Sequence, residues 1–268
     1  MKIGEWVASA AARLQEVSDA PRLEAQVLAA FAFGGSDRSW VLAHAMDEVE
    51  TEFVETLLER RLGREPLAYI TGQREFWKHS FLVGPGVLIP RQETEVLLEA
   101  ALSFPGGNVL DLGCGSGALA ISLALERPDW SVTGADISLL ALEWSRKNGS
   151  RLGANVTWVE SDGFQNAPGP WDLIVTNPPY VGTNEVLAPE LHDHEPHSAL
   201  YAGPDGLDFY ARLAREARDV LQPHGAILME IGHNQSEAVP RLFLELGWQL
   251  AGQWNDLSGN VRVLGFRP

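Results

Sequence analysis

The tetrapeptide Asn177-Pro178-Pro179-Tyr180 directly follows a short apolar run. Two consecutive prolines fix φ and carry no N–H group, so the turn is rigid and presents the Asn177 side-chain oxygen and the Pro178 carbonyl as hydrogen-bond acceptors. These acceptors suit the N–H groups of a planar amide or aryl amine, whose nitrogen gains positive charge when it is alkylated. The tetrapeptide is therefore predicted to hold such a nitrogen in line for reaction, with Tyr180 packed beside its flat group.

A glycine-rich loop provides a second candidate site. Residues 109–120 read as a strand, a turn and the start of a helix, so that the backbone can approach a nucleotide-like ligand. The loop itself consists of Gly113, Cys114, Gly115, Ser116 and Gly117. Asp136 ends the next predicted strand and is placed to bind two ribose hydroxyls. The glycine pattern fits NAD as well as S-adenosylmethionine, but Asp111 favours the latter, because an acid suits a sulfonium with a free amino group and does not suit a pyrophosphate.

The end of the third predicted strand completes the expected cofactor site. Asp162 can accept a hydrogen bond from an adenine amino group, and Phe164, after Gly163, can pack on the base. Cys114 is interpreted as a small residue that fills the tight glycine loop, since no base is evident beside it for nucleophilic catalysis.

The pattern of elements predicts an α/β protein with a small helical domain at its N-terminus. Residues 1–65 show helical periodicity, and 66–90 are broken by Gly and Pro into a hairpin-like connector, so the predicted domains are 1–84 and 85–268. Beyond the connector, strand-like runs at 108–112, 130–135, 156–160, 171–175 and 226–231 alternate with helical stretches. This alternation predicts a mostly parallel sheet, and the runs at 248–254 and 261–266 should close one edge as an antiparallel hairpin.

Composition narrows the class of partner. The 268 residues carry a formal net charge of −16, which disfavours binding to a phosphate backbone. With a single cysteine, Cys114, the chain forms no internal disulfide, which favours a reducing compartment. No apolar stretch has the length of a membrane span or the form of a signal peptide, so we expect a cytoplasmic protein that does not bind membranes.

Together these motifs resemble class I methyltransferases that modify exocyclic nitrogens. Residues 66–77 (Pro-Leu-Ala-Tyr-Ile-Thr-Gly-Gln-Arg-Glu-Phe-Trp) and 87–95 (Val-Leu-Ile-Pro-Arg-Gln-Glu-Thr-Glu) look like the connector of the HemK/PrmC-type release factor glutamine methyltransferases, and the resemblance spans essentially the whole chain. It implies a Rossmann-like seven-stranded domain and a helical N-terminal domain that recognises release factors. It also implies S-adenosylmethionine as methyl donor, S-adenosylhomocysteine as product, and the Gly-Gly-Gln glutamine as acceptor.

By the same resemblance, the cofactor contacts would be the glycine loop, Asp136, residues 162–164 and Asn177, and the glutamine contacts residues 177–180. The expected state is a monomer that binds no nucleic acid directly. Gln92 stands where the family usually has proline, and Gly163 where it often has an aromatic residue.

Two rival hypotheses remain open on the sequence. The first is methylation of an adenine amino group in nucleic acid, which would be expected to need a basic surface and a target-recognition insertion. The second is a binding protein without activity. The His-rich run 192–197 is interpreted as an exposed loop and not as a metal site, because Pro196 hinders convergence of its side chains.

Glu230 lies near the end of a late predicted strand. It either faces the predicted active site or serves a hairpin turn.

Overall fold

The computed structural model describes all 268 residues. The α-helices, in chain order, are α1 (Ile3–Arg13), α2 (Pro21–Phe33), α3 (Arg38–Ala43), α4 (Glu52–Leu62), α5 (Leu67–Thr71), α6 (Thr94–Leu102), α7 (Ala118–Glu126), α8 (Leu139–Leu152), α9 (Pro189–His192), α10 (Asp208–Val220) and α11 (Ala238–Glu245). The strands are β1 (Gln73–Phe76), β2 (His79–Leu82), β3 (Asn108–Leu112), β4 (Ser131–Asp136), β5 (Val156–Glu160), β6 (Trp171–Thr176), β7 (Leu221–Glu230), β8 (Gln249–Asn255) and β9 (Val261–Arg267). None of the helices has the length and apolar character needed to cross a membrane.

The chain divides into two compact units, and the first comprises residues 1–73 together with 188–194. Its helices enclose a core of their own, which includes Trp6, Leu28 and Leu58. Local signals set the helix ends: Pro21 occupies the first turn of α2, and Gly34 ends that helix with a φ of 72°. The helices predicted from the periodicity of residues 1–65 are thus present in this unit.

Arg61 joins segment 188–194 to the rest of the first unit. Its guanidinium, almost fully buried, donates to Glu24 at 2.7 Å, to Glu190 at 3.2 Å and to the Val17 carbonyl at 2.9 Å. A buried guanidinium needs such partners, since an unpaired charge in the interior is costly. These contacts explain how a short segment distant in sequence belongs to the helical unit.

The second unit, residues 74–187 and 195–268, is built on a seven-stranded sheet in the order β5-β4-β3-β6-β7-β9-β8. The pairs among β3, β4, β5, β6 and β7 are parallel, and β9 is antiparallel to both β7 and β8. The predicted parallel sheet with an antiparallel hairpin at one edge is confirmed. The order in which successive strands are added reverses between β3 and β6, so a crevice forms there at the carboxyl ends of β3, β4 and β6.

Apolar side chains cover both faces of this sheet. One face packs against α6 and α7 through residues such as Leu97, Leu119 and Val175, and the other packs against α10 and α11 through Tyr210 and Phe243. Because both faces are buried, the central strands read as continuous apolar runs. The two layers of helices hold the strand ends in fixed positions.

The β1–β2 hairpin packs with the sheet domain. Phe76 and Phe81 lie in the same core cluster as α6 and α7. The Asn148 side chain of α8 pairs with both backbone groups of Leu82 and also donates to the carbonyl of Ser116 in the glycine loop. The compact units therefore divide after Gln73, the first residue of the hairpin, whereas the sequence-based boundary after Gly84 lies beyond the hairpin.

Candidate active site

A cavity of about 530 Å³ opens at the carboxyl ends of β3, β4 and β6. Most of the predicted site residues line this cavity: Asp111, Gly113, Cys114, Gly115, Ser116, Asp136, Asp162, Gly163, Asn177, Pro178 and Pro179. Gly117, Phe164 and Tyr180 do not line it. The fold thus brings together four segments that are far apart in the chain.

Positive φ angles shape the glycine loop. Gly113, Gly115 and Gly117 have φ values of 75°, 55° and 80°, a region that side chains disfavour. A Cβ at Gly113 would meet nothing within 4 Å, so this position leaves open space for a ligand. A Cβ at Gly117 would lie 2.8 Å from the Trp158 ring, so Gly117 serves the packing of helix against strand.

Two carboxylates flank the loop. Asp111 accepts a hydrogen bond from the Ala120 amide at 3.0 Å, and burial raises the pKa of its carboxyl to about 7, with a smaller contribution from the nearby Asp136. Asp136 accepts from the amides of Gly115 and Ser138, both at 2.9 Å, and burial raises the pKa of this group as well. The cavity wall is therefore acidic where the two strands end, which suits a cationic ligand that carries hydroxyls.

Cys114 behaves as a buried apolar residue. Burial raises the pKa of its thiol well above the usual value, and the Asp111 and Asp136 carboxylates act in the same direction. Its Sγ lies 3.7 Å from Ser145 Oγ. A neutral thiol of this kind is a poor nucleophile.

The turn after β5 places its residues differently from the expected adenine contact. Phe164 points into the core on the α10 side of the sheet, because Gly163, with a φ of 59°, turns the chain back at that point. The Arg212 guanidinium pairs with Asp162 and occupies the space that a side chain at position 163 would need. The cavity wall instead offers Ile137, a residue that is 62% exposed. One feature of the sequence indicates this role for Ile137, namely that it directly follows Asp136 at the end of β4.

The tetrapeptide presents three of its four residues to the cavity. Asn177 Nδ2 donates to Thr94 Oγ1 at 3.0 Å, which engages the donor end of the amide and leaves Oδ1 as its acceptor. Tyr180 is held outside the cavity by backbone contacts with Leu200 and Gln235, and burial raises the pKa of its hydroxyl to about 12. The phenol is consequently a neutral packing group.

The His-rich run is divided by the fold. His192 pairs with its neighbour Asp193, whereas Glu195 accepts from the Ile89 amide at 3.1 Å and from Arg91 at 2.5 Å. No three His, Cys, Asp or Glu side chains in the chain are arranged to hold a metal ion. Glu195 thus anchors the segment before α6, and sequence reasoning had not assigned it this contact.

Comparison with known proteins identifies the family. Residues 91–192 match the model of the methyltransferase small domain, and residues 5–72 match that of the PrmC N-terminal domain. The release factor glutamine methyltransferase of Bordetella pertussis is 43% identical over 255 residues, covering 91% of this chain and 94% of that protein. This chain belongs to the release factor glutamine methyltransferase family.

A second relative agrees with this membership, and a solved structure agrees with the fold. The family member of Neisseria gonorrhoeae is 40% identical over 98% of this chain and 96% of its own length. Among solved structures, a methyltransferase from Pyrococcus furiosus superposes with a TM-score of 0.57 at 19% identity, covering 80% of this chain and 98% of that one. The second likeness shows that the sheet domain has the methyltransferase fold.

Proposed function

We propose that this protein transfers the methyl group of S-adenosylmethionine to the side-chain amide nitrogen of a glutamine in peptide chain release factors, with S-adenosylhomocysteine as the second product. One observation carries the proposal: Asn177 and Pro178 line the same cavity as the glycine loop and its two carboxylates. A site with only one of these halves would bind a cofactor or a planar amide, but would not join them.

The residues of the cavity fit this cofactor. S-adenosylmethionine supplies an electrophilic methyl group on a sulfonium. The open space at Gly113 admits the ligand close to the backbone, and Asp111 offers a carboxylate to its cationic end. Asp136 would hold the ribose hydroxyls with the lone pairs that its two backbone contacts leave. Ile137 and Asp162 line the wall where an adenine would need an apolar surface and an acceptor.

Asn177 and Pro178 would hold the methyl acceptor. An amide nitrogen is a weak nucleophile because its lone pair is delocalised, and it gains positive charge as the new bond forms. The Asn177 side-chain oxygen and the Pro178 carbonyl can accept its two N–H groups, and these contacts strengthen as the charge develops. The protein is therefore proposed to contribute positioning and electrostatic stabilisation. After transfer, the methylated nitrogen loses its extra proton to water.

We also propose that the helical unit recognises the release factor and that residues 1–84 act as its docking region. The family model of the N-terminal domain matches this part, and several large apolar side chains are exposed on it, including Leu42, Met46 and Phe53. The Gly-Gly-Gln tripeptide is the proposed target, with the enzyme acting as a monomer in the cytoplasm.

Methylation of an adenine amino group is the competing reaction, because the same acceptors suit it. The net charge of −16 opposes binding to DNA or RNA, and the named relatives act on release factors. These two observations favour the protein substrate.

A methyl-transfer assay separates the two substrates. The full chain is incubated with S-adenosylmethionine labelled in its methyl group and with a purified release factor, DNA or RNA in separate reactions. We expect label in the release factor, loss of most transfer in Asn177→Ala, and unchanged transfer in Leu257→Ala, a control at a fully exposed residue between β8 and β9. Label in nucleic acid and none in the release factor would refute the proposal.

A further inference from the structure

A buried hydroxyl and a buried carboxylate stand behind Asn177. Asn177 Nδ2 donates to Thr94 Oγ1 at 3.0 Å, and Thr94 Oγ1 donates to Glu230 Oε2 at 2.6 Å. Thr94 begins α6 and is 7% exposed, while Glu230 ends β7 and is 1% exposed. The three side chains come from three distant parts of the sequence and form one continuous chain of hydrogen bonds.

The chemistry of the hydroxyl gives this chain a direction. A threonine hydroxyl has one proton and two lone pairs, so when its proton goes to the Glu230 carboxylate it offers Asn177 only lone pairs. The Asn177 amide must then turn its NH2 group to Thr94. Its oxygen remains to accept a hydrogen bond from a ligand in the cavity.

Glu230 has the features of a group retained for a purpose other than stability. It forms no salt bridge, since Arg262 is engaged with the Ile231 carbonyl and Asp256, and Arg91 with Glu195. Burial raises the pKa of its carboxyl to about 7, against the smaller opposing effect of the Thr94 hydrogen bond. A buried carboxylate that no cation pairs with directly lowers stability, and such groups cluster at functional sites.

The charged and titratable groups around Glu230 come from each neighbouring element. Arg91 and Glu93 precede α6, Arg262 lies on β9, Tyr180 ends the tetrapeptide and Tyr210 is on α10. Both tyrosine hydroxyls have raised pKa values and are neutral, chiefly because they are buried. Burial thus brings the pKa of the Glu230 carboxyl, unlike those of the two tyrosines, close to neutrality.

We propose that Thr94 and Glu230 are positioning residues, which hold Asn177 with its oxygen towards the methyl-accepting nitrogen and strengthen that oxygen as an acceptor. Hydrogen bonds in a chain polarise one another, so a donor contact to a carboxylate at one end increases the negative charge on the Asn177 oxygen at the other. This inference rests on the proposed methyl transfer. It adds two residues that act through Asn177.

A purely structural role would have different consequences. Thr94 does not cap its helix, because its hydroxyl contacts Asn177 and Glu230 instead of the α6 backbone. If the hydroxyl served only the fold, its removal would lower stability and leave turnover intact. If it positions Asn177, its removal lowers turnover through Asn177.

The test compares Thr94→Val, which keeps the shape and removes the hydroxyl, with Thr94→Ser, which restores it. The assay measures kcat and KM on a release factor, and cofactor affinity, for wild type and for both Thr94 variants. It is repeated for Asn177→Ala and for the double variant that combines Thr94→Val with Asn177→Ala. Thr94→Val should lower kcat about tenfold, less than loss of a direct contact, with KM and cofactor affinity unchanged. Thr94→Ser should recover most of the rate. Ser122→Ala, which removes a buried hydroxyl without a partner on α7, is the matched control and should match wild type.

The double variant decides whether Thr94 acts through Asn177. Thr94→Val should cause no further loss in the Asn177→Ala background, because residues that act as a unit are not additive. Independent losses in the double variant, wild-type kcat in Thr94→Val, or no recovery in Thr94→Ser would each overturn the inference.

A substrate-free measurement separates this inference from the proposed function. Hydrogen exchange of the Asn177 side-chain amide, followed by NMR, should be slow in wild type and Thr94→Ser and fast in Thr94→Val. Equal exchange in all three would overturn the inference even if release factors are methylated. Wild-type protein that leaves release factors unmethylated would instead refute the proposed function.

Discussion

Asp111 is predicted to make cofactor binding depend on pH near neutrality. Its carboxyl lies fully inside the fold beside the cavity, and burial raises its pKa to about 7. S-adenosylmethionine brings a sulfonium and an ammonium group, and a cation beside a carboxylate lowers the carboxyl pKa. Binding therefore favours the ionised form, so the protein must release a proton when it binds below pH 7.

The size of the effect follows from that pKa. At pH 6 about nine tenths of the free protein carries the proton on Asp111, and at pH 8 about one tenth does. The apparent dissociation constant should rise about tenfold for each pH unit below 7, which corresponds to roughly 1.4 kcal/mol per unit.

Isothermal titration calorimetry at pH 6, 7 and 8 measures this dependence, and repetition in two buffers of different ionisation enthalpy counts the protons released. Asp111→Asn is the matched control, because an amide oxygen still accepts from the Ala120 amide but does not titrate. The variant should bind more weakly at pH 8 and show a flat profile. A flat wild-type profile would refute the reasoning, and an equal slope in the variant would transfer the effect to Asp136, whose pKa is also raised.

Three further outcomes are expected. Asn177→Ala should lower kcat about a hundredfold or more, with cofactor affinity retained, in steady-state assays, because its contact matters most in the transition state. Arg61→Ala should destabilise the helical unit by about 3 kcal/mol in chemical denaturation, since it leaves Glu24 without its buried partner and Glu190 with Arg64 alone. Loss of the exposed Arg60 should cost at most about 1 kcal/mol. At saturating cofactor, wild-type kcat should fall as pH drops through about 7. A protonated Glu230 no longer obliges Thr94 to donate to it, so Thr94 no longer fixes the orientation of the Asn177 amide. Glu230→Gln should remove this pH dependence.

The sequence predicted the sheet well because its strands are short apolar runs between clear breaks. The runs at 108–112 and 156–160 match β3 and β5 residue for residue. β7 begins at Leu221, five positions before the predicted run, because it includes Pro223 and Gly225, residues that usually mark a break. The antiparallel edge was predictable since no helix pattern separates its two strands.

Side-chain direction and long-range pairing were not predictable. A single positive φ at Gly163 sends Phe164 into the core, and adjacent residues give no sign of this. The contact between Thr94 and Asn177 joins positions 83 residues apart, and it depends on how α6 packs against the sheet. Local patterns identify the tetrapeptide and the glycine loop, but the groups that orient them become visible only in the folded chain.

The most direct measurement is a fragment-ion mass spectrum of a release factor after incubation with this protein and S-adenosylmethionine. The account predicts a mass gain of one CH2 group on the glutamine of the Gly-Gly-Gln tripeptide, and a much smaller gain in the same time with Asn177→Ala. A gain on another residue would contradict the assignment of the acceptor, and no gain in wild-type protein that binds the cofactor would contradict the proposed function.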